Sequence, residues 1–319
     1  MTRNQPVRVG LIGLGKMGQN HLRVLSLMKS VELTFVYDLD EAKAARAAEL
    51  HATVWSDDLE TLLPQADAVV ICTPTSTHGA YVRKVAPFVR KIFVEKPLAH
   101  TLDETLELAG FAESEGLDLQ IGFIERYNPA VQQLHAIIVK SEQVISIDFA
   151  RTNKLSARIT DVDVVTDLMI HDIDLALYLN GPVVDVSARG VADGEMINFA
   201  SAMLTHENGR FSRIQASRVT EKKMRMIQAT CVDMFINCEL LRKELLINRQ
   251  SEIRQEEGEP YIISALEQTV EVPPQEALLS ELQSFVGRCQ GDAGPSGPGV
   301  QAAVDAARIC DRIQQEILK

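Results

Sequence analysis

The first 120 residues alternate short apolar runs with segments of helical periodicity, and this order constrains the fold more than any other feature. The runs VRVGLIG, LTFVYD, AVVICT, KIFVEK and LDLQIGF have the length and composition of buried strands. The segments between them, such as KMGQNHLRVLSLMK and DEAKAARAAEL, carry apolar residues at helical spacing. Such alternation predicts a doubly wound parallel α/β sheet. Thr101 with Glu104 also predicts a capping box at the start of the fourth helix.

The pattern changes after about Phe123. A helix is predicted over NPAVQQLHAIIVK, and segments of near-continuous strand character follow between Val183 and Ile247. Within them, HENGR carries the Asn-Gly signal of a tight hairpin, which indicates an antiparallel sheet. Two further helices are predicted, at 276–289 and 300–318, separated by a loop rich in glycine and proline. We therefore expect two domains, residues 1–122 and 123–319, the second an α+β domain with a large, mostly antiparallel sheet.

Charge and cysteine usage limit the partners and the compartment. The 319 residues include 32 Lys and Arg against 44 Asp and Glu, a formal net charge of −12, which argues against nucleic acid or an anionic membrane as the main partner. An anionic metabolite would need a local cluster of cations. The five cysteines are scattered and never spaced as C-x-x-C, as expected of core residues in the reducing cytoplasm. We find no apolar run long enough for a signal peptide or a membrane span.

A nucleotide site is predicted at the turn after the first strand. Gly13, Gly15 and Gly18 have the G-x-G-x-x-G spacing of a dinucleotide-binding turn and open a helix. Asp38 ends the second strand, where a carboxylate can accept hydrogen bonds from both adenosine ribose hydroxyls and repel a 2′-phosphate. The following Leu39 and Asp40 provide no arginine for that phosphate, which favours NAD over NADP. The alternative is a glycine turn without a ligand, with Asp38 serving only the next helix.

Two further strand ends carry polar residues where ligands collect on a parallel sheet. One strand runs into Thr73-Pro74 and, a few residues on, His78; another runs into Glu95-Lys96-Pro97. Partial desolvation of Lys96 would lower the pKa of its amine into a useful range. The alternative is an ordinary surface ion pair at a strand end.

The segment TDLMIHDIDLAL, residues 166–177, combines a buried helix with a polar stripe. Asp167, His171 and Asp174 recur at four and three residues, so that they share one face of a helix whose other residues are mostly apolar. The stripe is either a solvated face or a proton-handling face aimed at a ligand. We expect no metal at these three residues, because no second His or Cys lies at a suitable spacing.

The glycine motif, Glu95-Lys96-Pro97 and Asp167-x-x-x-His171, in this order, resemble the glucose–fructose oxidoreductase/inositol dehydrogenase family. The resemblance implies an N-terminal Rossmann domain that binds NAD and a C-terminal domain on a large, mostly antiparallel sheet. It implies that Lys96 contacts the nicotinamide ribose and the substrate hydroxyl, that His171 is the general acid/base there, and that Asp167 orients it or touches the substrate. It also implies a cis Lys96–Pro97 bond, and further cofactor contacts from Lys16, Met17, Thr73, Pro74, His78 and Glu95. The stripe would then face the nicotinamide.

Residues 122–131 and 158–162 are similar to a narrower group within that family, which uses NAD to oxidise the C3 hydroxyl of UDP-N-acetylglucosamine to a ketone. Phe123 departs from the small polar residue expected there. For such a substrate the resemblance implies binding by Glu125, Arg126, Asn128 and Arg158, together with Lys96, Asp167 and His171. Arg126, Arg151, Lys154 and Arg158 suit a diphosphate, although each alone is more often an ordinary surface residue. Asn128 is better explained as the cap of a helix that begins at Pro129.

The sequence leaves two alternative functions open and predicts that the protein forms oligomers. A dehydrogenase of the same family could act on an inositol or a free sugar instead, and a non-catalytic NAD-binding sensor would not need Lys96 and His171. We also expect homodimers or homotetramers formed through the C-terminal sheet, because one face of a large antiparallel sheet needs cover.

Overall fold

A computed structural model describes residues 5–141, 143–154, 162–254, 262–292 and 297–319. The chain divides into two compact units, residues 1–124 with 277–308 and residues 125–276 with 309–319. No helix within the described ranges is both long and apolar enough to cross a bilayer.

The first unit contains the predicted parallel sheet. Its strand order is β2-β1-β3-β4-β5, and every pairing is parallel. The strands are Val7–Ile12 (β1), Val31–Tyr37 (β2), Ala68–Ile71 (β3), Lys91–Glu95 (β4) and Asp118–Gly122 (β5). The helices between them are Lys16–Leu27 (α1), Glu41–His51 (α2), Leu59–Leu62 (α3), His78–Val85 (α4) and Leu102–Ser114 (α5), with 3₁₀ turns at Leu63–Gln65 and Thr75–Thr77.

The order of the strands places a switch point beside β1. The chain winds from β1 outward to β2 on one side and to β3, β4 and β5 on the other, so the turn after β1 opens where the winding reverses. Helix α5 begins as predicted: the Glu104 backbone N–H donates to Thr101 Oγ1 at 3.2 Å, and the Thr101 N–H donates back to Glu104 Oε2 at 3.3 Å.

The second unit is built on an eight-stranded sheet. Its order is β13-β12-β11-β10-β6-β9-β8-β7, and all pairings are antiparallel except β6 with β9, which confirms a mostly antiparallel sheet. The strands are Val144–Thr152 (β6), Val183–Asp193 (β7), Met196–His206 (β8), Phe211–Ser217 (β9), Met224–Cys231 (β10), Met234–Glu239 (β11), Glu244–Arg254 (β12) and Ile262–Val270 (β13). The predicted hairpin joins β8 to β9, with Gly209 at φ +80°.

The helical parts of the second unit include an irregular turn before the polar stripe. After the 3₁₀ turn Ile124–Tyr127 come helix Pro129–Ile138 (α6), a π-helical turn at Val165–Met169, and helix Ile170–Asn180 (α7). The predicted single helix over 166–177 is therefore a π turn joined to an α-helix. Its apolar residues are buried as expected except Leu177, which is partly exposed, and Met169 and Ile173 are buried completely. Single π turns inside helices occur frequently at functional sites.

The division of the chain near its end differs from the predicted one. The last two helices are Ala277–Gln290 (α8) and Val300–Leu318 (α9), and residues 277–308 belong to the first unit. Leu282 and Phe285 of α8 lie in the core beneath the parallel sheet, where the Phe285 ring meets Phe93 edge-on. The predicted single boundary at residue 122 placed this segment in the second domain. Apolar spacing alone could not reveal which sheet α8 covers.

Candidate active site

The three glycines after β1 have distinct steric roles. Gly13 has φ +92°, and a Cβ on it would lie 2.7 Å from the carbonyl carbon of Cys72. A Cβ on Gly18 would lie 1.9 Å from the Gly13 carbonyl oxygen, so this glycine permits close packing of α1 on the turn. Around Gly15, no atom of the described chain beyond its neighbours comes within 4 Å of such a Cβ. The open side at Gly15, beside the N-terminal N–H groups of α1, fits a dinucleotide pyrophosphate.

Asp38 is fixed by the backbone of two turns. Its Oδ2 accepts the Leu14 N–H at 2.7 Å and its Oδ1 accepts the Asp40 N–H at 2.9 Å. Lys43 Nζ, in the first turn of α2, is 3.6 Å from Oδ1. Each carboxylate oxygen retains lone-pair capacity for a ribose hydroxyl. Asp38 does not cap α2, because Asp40 does so by accepting the Lys43 N–H.

A cavity of about 480 Å³ at this edge of the parallel sheet is lined by Gly13, Gly15, Met17, Asp38, Thr73 and Pro74, all predicted to bind the cofactor. It is also lined by Tyr37 and Tyr81, whose rings meet edge-on at 6.2 Å. The predicted Lys16, Gly18, His78, Glu95 and Lys96 are not among its lining residues. The two tyrosines were missed because they belong to no motif, and only the fold brings the end of β2 beside α4.

Glu95 has a structural partner that the sequence reading did not identify. Its Oε1 lies 2.7 Å from Nε2 of the fully buried His21, and its Oε2 accepts the Lys96 N–H at 3.2 Å. A Cβ on Gly122 would come within 2.9 Å of the same Oε2. The carboxylate therefore ties α1 to the ends of β4 and β5. His21 lies three residues beyond Gly18 on the buried side of α1, a position that could have been noticed in the sequence.

Cys72 lies beside this pair, and one ligand atom from each of Cys72, His21 and Glu95 falls within 4.8 Å of the others. Burial raises the pKa of the Cys72 thiol well above its ordinary value, and the Glu95 carboxylate raises it further. Within this group, the His21–Glu95 hydrogen bond accounts for the closeness of the imidazole and the carboxylate.

His78 joins the two polar strand ends. Its Nδ1 is 2.9 Å from the Pro97 carbonyl oxygen, and its Nε2 is 3.0 Å from the Thr73 carbonyl oxygen. Burial lowers the pKa of its imidazole. A direct hydrogen bond from His78 to a ribose would therefore require one of these contacts to break. The Lys96–Pro97 bond is cis, as expected, and Lys96 is half-buried directly after β4.

In the second unit, Asp167 lies on the π turn and is held by Arg218. Arg218 Nη2 donates to Asp167 Oδ2 at 3.3 Å and to the Asp163 carbonyl oxygen at 2.8 Å. Only 3% of Arg218 is exposed. The sequence carried no signal for Arg218, which follows β9 outside any motif. His171 follows one turn later, at the start of α7, and is partly exposed.

Asp174 does not belong to a proton-handling stripe. It is buried, and Arg126 chelates it through Nε at 2.8 Å and Nη2 at 2.6 Å. Burial raises the pKa of Asp174, whereas the hydrogen bond and charge of Arg126 oppose that shift. The prediction that Asp167, His171 and Asp174 act as one polar face is therefore wrong for Asp174. Its side chain is committed to an internal ion pair.

Arg151 is a core residue, not an ordinary surface arginine or a free phosphate ligand. It donates to Asp172 through Nε at 2.8 Å and Nη2 at 2.7 Å, and to Glu125 through Nη1 at 2.8 Å. The same Glu125 oxygen accepts from Arg225 at 3.2 Å. Burial raises the pKa of Glu125, but the charge of Arg151 and its hydrogen bond bring that pKa below its ordinary value. Glu125, Arg126 and Arg151 thus already have internal partners, which the sequence could not show.

Asn128 caps α6, as its position before Pro129 suggested. Its Oδ1 accepts the Ala130 N–H at 3.1 Å, and its Nδ2 donates to Glu125 Oε2 at 3.2 Å. Lys154 pairs with Glu221 at 2.8 Å. Arg158 lies outside the described residues.

Comparison with known proteins identifies a segment of one family in each of the two units. Residues 7–123 match the oxidoreductase family with an NAD-binding Rossmann fold, and residues 145–233 match the GFO/IDH/MocA C-terminal domain. UDP-N-acetylglucosamine 3-dehydrogenase of Acidithiobacillus ferrooxidans is 32% identical over 299 residues, which cover 90% of this chain and 93% of that protein. The chain belongs to the GFO/IDH/MocA family.

Similarity to known dehydrogenases extends over nearly the whole chain. Inositol 2-dehydrogenase 2 of Paenarthrobacter aurescens is 27% identical, covering 98% of this chain and 96% of its own. The solved structure of the Acidithiobacillus ferrooxidans dehydrogenase superposes with a TM-score of 0.86 at 28% identity, covering 98% of both chains. The protein is therefore an NAD-binding oxidoreductase with the two-part architecture of this family.

Proposed function

We propose that the protein oxidises the C3 hydroxyl of UDP-N-acetylglucosamine to a ketone with NAD, a product that can lead to a 3-amino sugar nucleotide. The observation that carries the proposal is the 32% identity, across 90% of this chain, to a protein of that activity. The alternative substrate is an inositol or a free sugar, favoured by the 27% identity to an inositol 2-dehydrogenase over 98% of the chain.

When bound at the glycine turn, NAD supplies a hydride acceptor for the carbon that carries the hydroxyl. We assign His171 as the general base that takes the hydroxyl proton, with Asp167 orienting it or the substrate. Lys96, which follows the buried strand β4, donates to the hydroxyl oxygen and so stabilises the negative charge that develops there. Glu95 has a positioning role, because its hydrogen bonds hold the backbone from which Lys96 projects.

The ion pairs of α7 support this assignment by fixing the helix around His171. Asp172 is chelated by Arg151 of β6, and Asp174 is chelated by Arg126 of the 3₁₀ turn before α6. Two bidentate pairs within three residues of His171 restrict rotation and sliding of α7. A base held in one place need not be ordered during the reaction, which lowers the barrier to proton transfer.

The test is NAD reduction with UDP-N-acetylglucosamine, compared with myo-inositol and glucose at equal concentrations. Turnover of the nucleotide sugar with little turnover of the others supports the proposal, whereas turnover of a free polyol alone overturns the substrate. Lys96→Met and His171→Gln should each reduce kcat by at least about a hundredfold while NAD affinity stays near normal. Unchanged turnover in both variants would refute the roles given to these residues.

We further propose that the protein acts as a cytoplasmic homodimer or homotetramer assembled through the eight-stranded sheet. Helices α6 and α7 pack on one face of this sheet, and the opposite face carries partly exposed apolar side chains, including Met203 and Phe235. A second copy would cover them. Sedimentation as a monomer at micromolar concentration would contradict this assembly.

A further inference from the structure

A second cavity, in the second unit, is lined by several charged side chains. It has a volume of about 230 Å³ and is lined by Asn153, Lys154, Asp167, Arg218, Glu221 and Lys223. Three of these side chains are cationic and two are anionic, so the lining carries one excess positive charge in a protein whose formal net charge is −12. A local excess of this sign in an acidic protein favours an anionic ligand.

Two of the arginines first considered for a diphosphate, Arg126 and Arg151, have internal partners. Arg126 is chelated to Asp174, and Arg151 is enclosed by Asp172 and Glu125. Recruiting either guanidinium to a substrate would leave a buried carboxylate without its cation, which is strongly unfavourable. The two lysines of the cavity, Lys154 and Lys223, are under no such constraint, because both are exposed.

The Lys154–Glu221 pair is weakly held and can be exchanged for a ligand. The two atoms are 2.8 Å apart, but the side chains are 71% and 78% exposed, and such surface pairs contribute little to stability. An anion with several oxygens can replace the Glu221 carboxylate on Lys154 and engage Lys223 as well. Arg218 lines the same cavity and donates to Asp167, and its buried Nε has no hydrogen-bond partner among the described residues.

We propose that this cavity binds the phosphate groups of the substrate through Lys154 and Lys223, with Arg218 linking the phosphate site to Asp167. This inference rests on the proposed function, and it specifies a substrate that carries phosphate. The phosphate at C1 and the hydroxyl at C3 belong to one sugar ring. An anchor for the phosphates beside Asp167 therefore brings the reacting hydroxyl to the same end of α7. A neutral inositol carries no charge that could form an ion pair with Lys154 or Lys223.

The site is tested by substitutions that remove either its positive or its negative charges. The double variant Lys154→Gln/Lys223→Gln should raise the KM for UDP-N-acetylglucosamine roughly tenfold and leave kcat within about twofold, because it removes binding and not chemistry. Glu221→Gln removes the competing carboxylate and should lower that KM about twofold. Lys140→Gln, at an exposed lysine outside the cavity lining, is the matched control and should change neither constant. Added salt should raise the KM of the native protein more than that of the double variant.

Binding of inorganic pyrophosphate, measured by calorimetry with saturating NADH to block the nucleotide site, separates this inference from the proposed function. If the nucleotide sugar is oxidised but its KM is the same in every variant, the phosphate site is refuted and the function stands. If the nucleotide sugar is not oxidised, the proposed function fails. In that case, the phosphate site is still supported if the native protein binds pyrophosphate and the double variant does not. The site is overturned if the native protein does not bind pyrophosphate, or if the double variant binds it equally well.

Discussion

Arg151 of β6 chelates Asp172 of α7 through hydrogen bonds of 2.7 and 2.8 Å, and only 1% of the arginine is exposed. Removing this guanidinium leaves Asp172 and Glu125 as buried carboxylates without their shared cation. We expect Arg151→Met to lower the free energy of unfolding by about 3–5 kcal/mol, measured by urea denaturation. Arg213→Met removes an arginine that chelates Asp148 in the same way but is 62% exposed. This control should cost less than about 1 kcal/mol, and equal costs would show that burial of the pair is unimportant.

His206 should make stability depend on pH near neutrality. Its Nδ1–H donates to the Gly181 carbonyl oxygen at 2.7 Å, and its Nε2 accepts from Ser212 Oγ at 2.9 Å, which is the pattern of a neutral ring. Burial lowers its pKa below the ordinary value of 6.5. The unfolded chain therefore takes up this proton first as the pH falls, and the stability that the neutral ring contributes above pH 6.5 is lost below it.

The measurement is the loss of stability caused by His206→Gln, determined by urea denaturation on both sides of neutrality. The substitution should destabilise the protein more at about pH 7.5 than at about pH 5.5. An equal loss at both values would show that this histidine has the same proton affinity in the folded and unfolded chains.

The glycine turn predicts opposite outcomes for two substitutions by alanine. Gly15→Ala places a methyl group in open space, so that thermal stability should be unchanged while the Kd for NAD rises at least about tenfold. Gly18→Ala drives a Cβ to within 1.9 Å of the Gly13 carbonyl oxygen and should destabilise the fold by about 2 kcal/mol or more. Calorimetric melting with NAD titration checks both. Unchanged NAD binding in Gly15→Ala would place the pyrophosphate elsewhere.

Asp38 should determine the choice of nucleotide. Asp38→Ser removes the carboxylate that repels a 2′-phosphate and leaves Lys43, now 3.6 Å from Asp38, available to that phosphate. The ratio of kcat/KM for NADP to that for NAD should rise at least about tenfold. Asp40→Ser retains a cap for α2 and is the matched control, expected to leave the ratio unchanged. If the ratio rises equally in both variants, nucleotide choice depends on the total negative charge of this region and not on the Asp38 carboxylate in particular.

Local signals predicted the strands and helices of the parallel sheet and the sheet edge at which the larger cavity lies. Strand length, helical spacing and the Gly13–Gly18 motif can each be recognised within a stretch of about twenty residues. Each of these signals was enough to predict the strand, helix or turn in which it occurs. The capping box at Thr101 and the hairpin at Gly209 were predictable for the same reason. The division near Glu276 was not, because it depends on which of two sheets an apolar helix covers.

Partners distant in sequence explain the errors at the site. The sequence spacing assigned Asp174 to a functional stripe, whereas in the structure Arg126, 48 residues earlier, chelates it. Arg151 was likewise considered as a phosphate ligand, whereas in the structure it donates to Asp172, 21 residues later. Side-chain type predicts which chemistry is possible, but only tertiary packing determines which charges are neutralised internally.

The proposed function requires the hydride to leave C3 of the nucleotide sugar, and isotope transfer tests this requirement most directly. The purified protein would be incubated with NAD and UDP-N-acetylglucosamine deuterated at C3, and the reduced nucleotide analysed by mass spectrometry and NMR. We predict that deuterium appears at C4 of the nicotinamide and that the sugar product is the 3-ketone. Reduced nucleotide without deuterium, or no reduction with this substrate while a free polyol is oxidised, would contradict the proposed function.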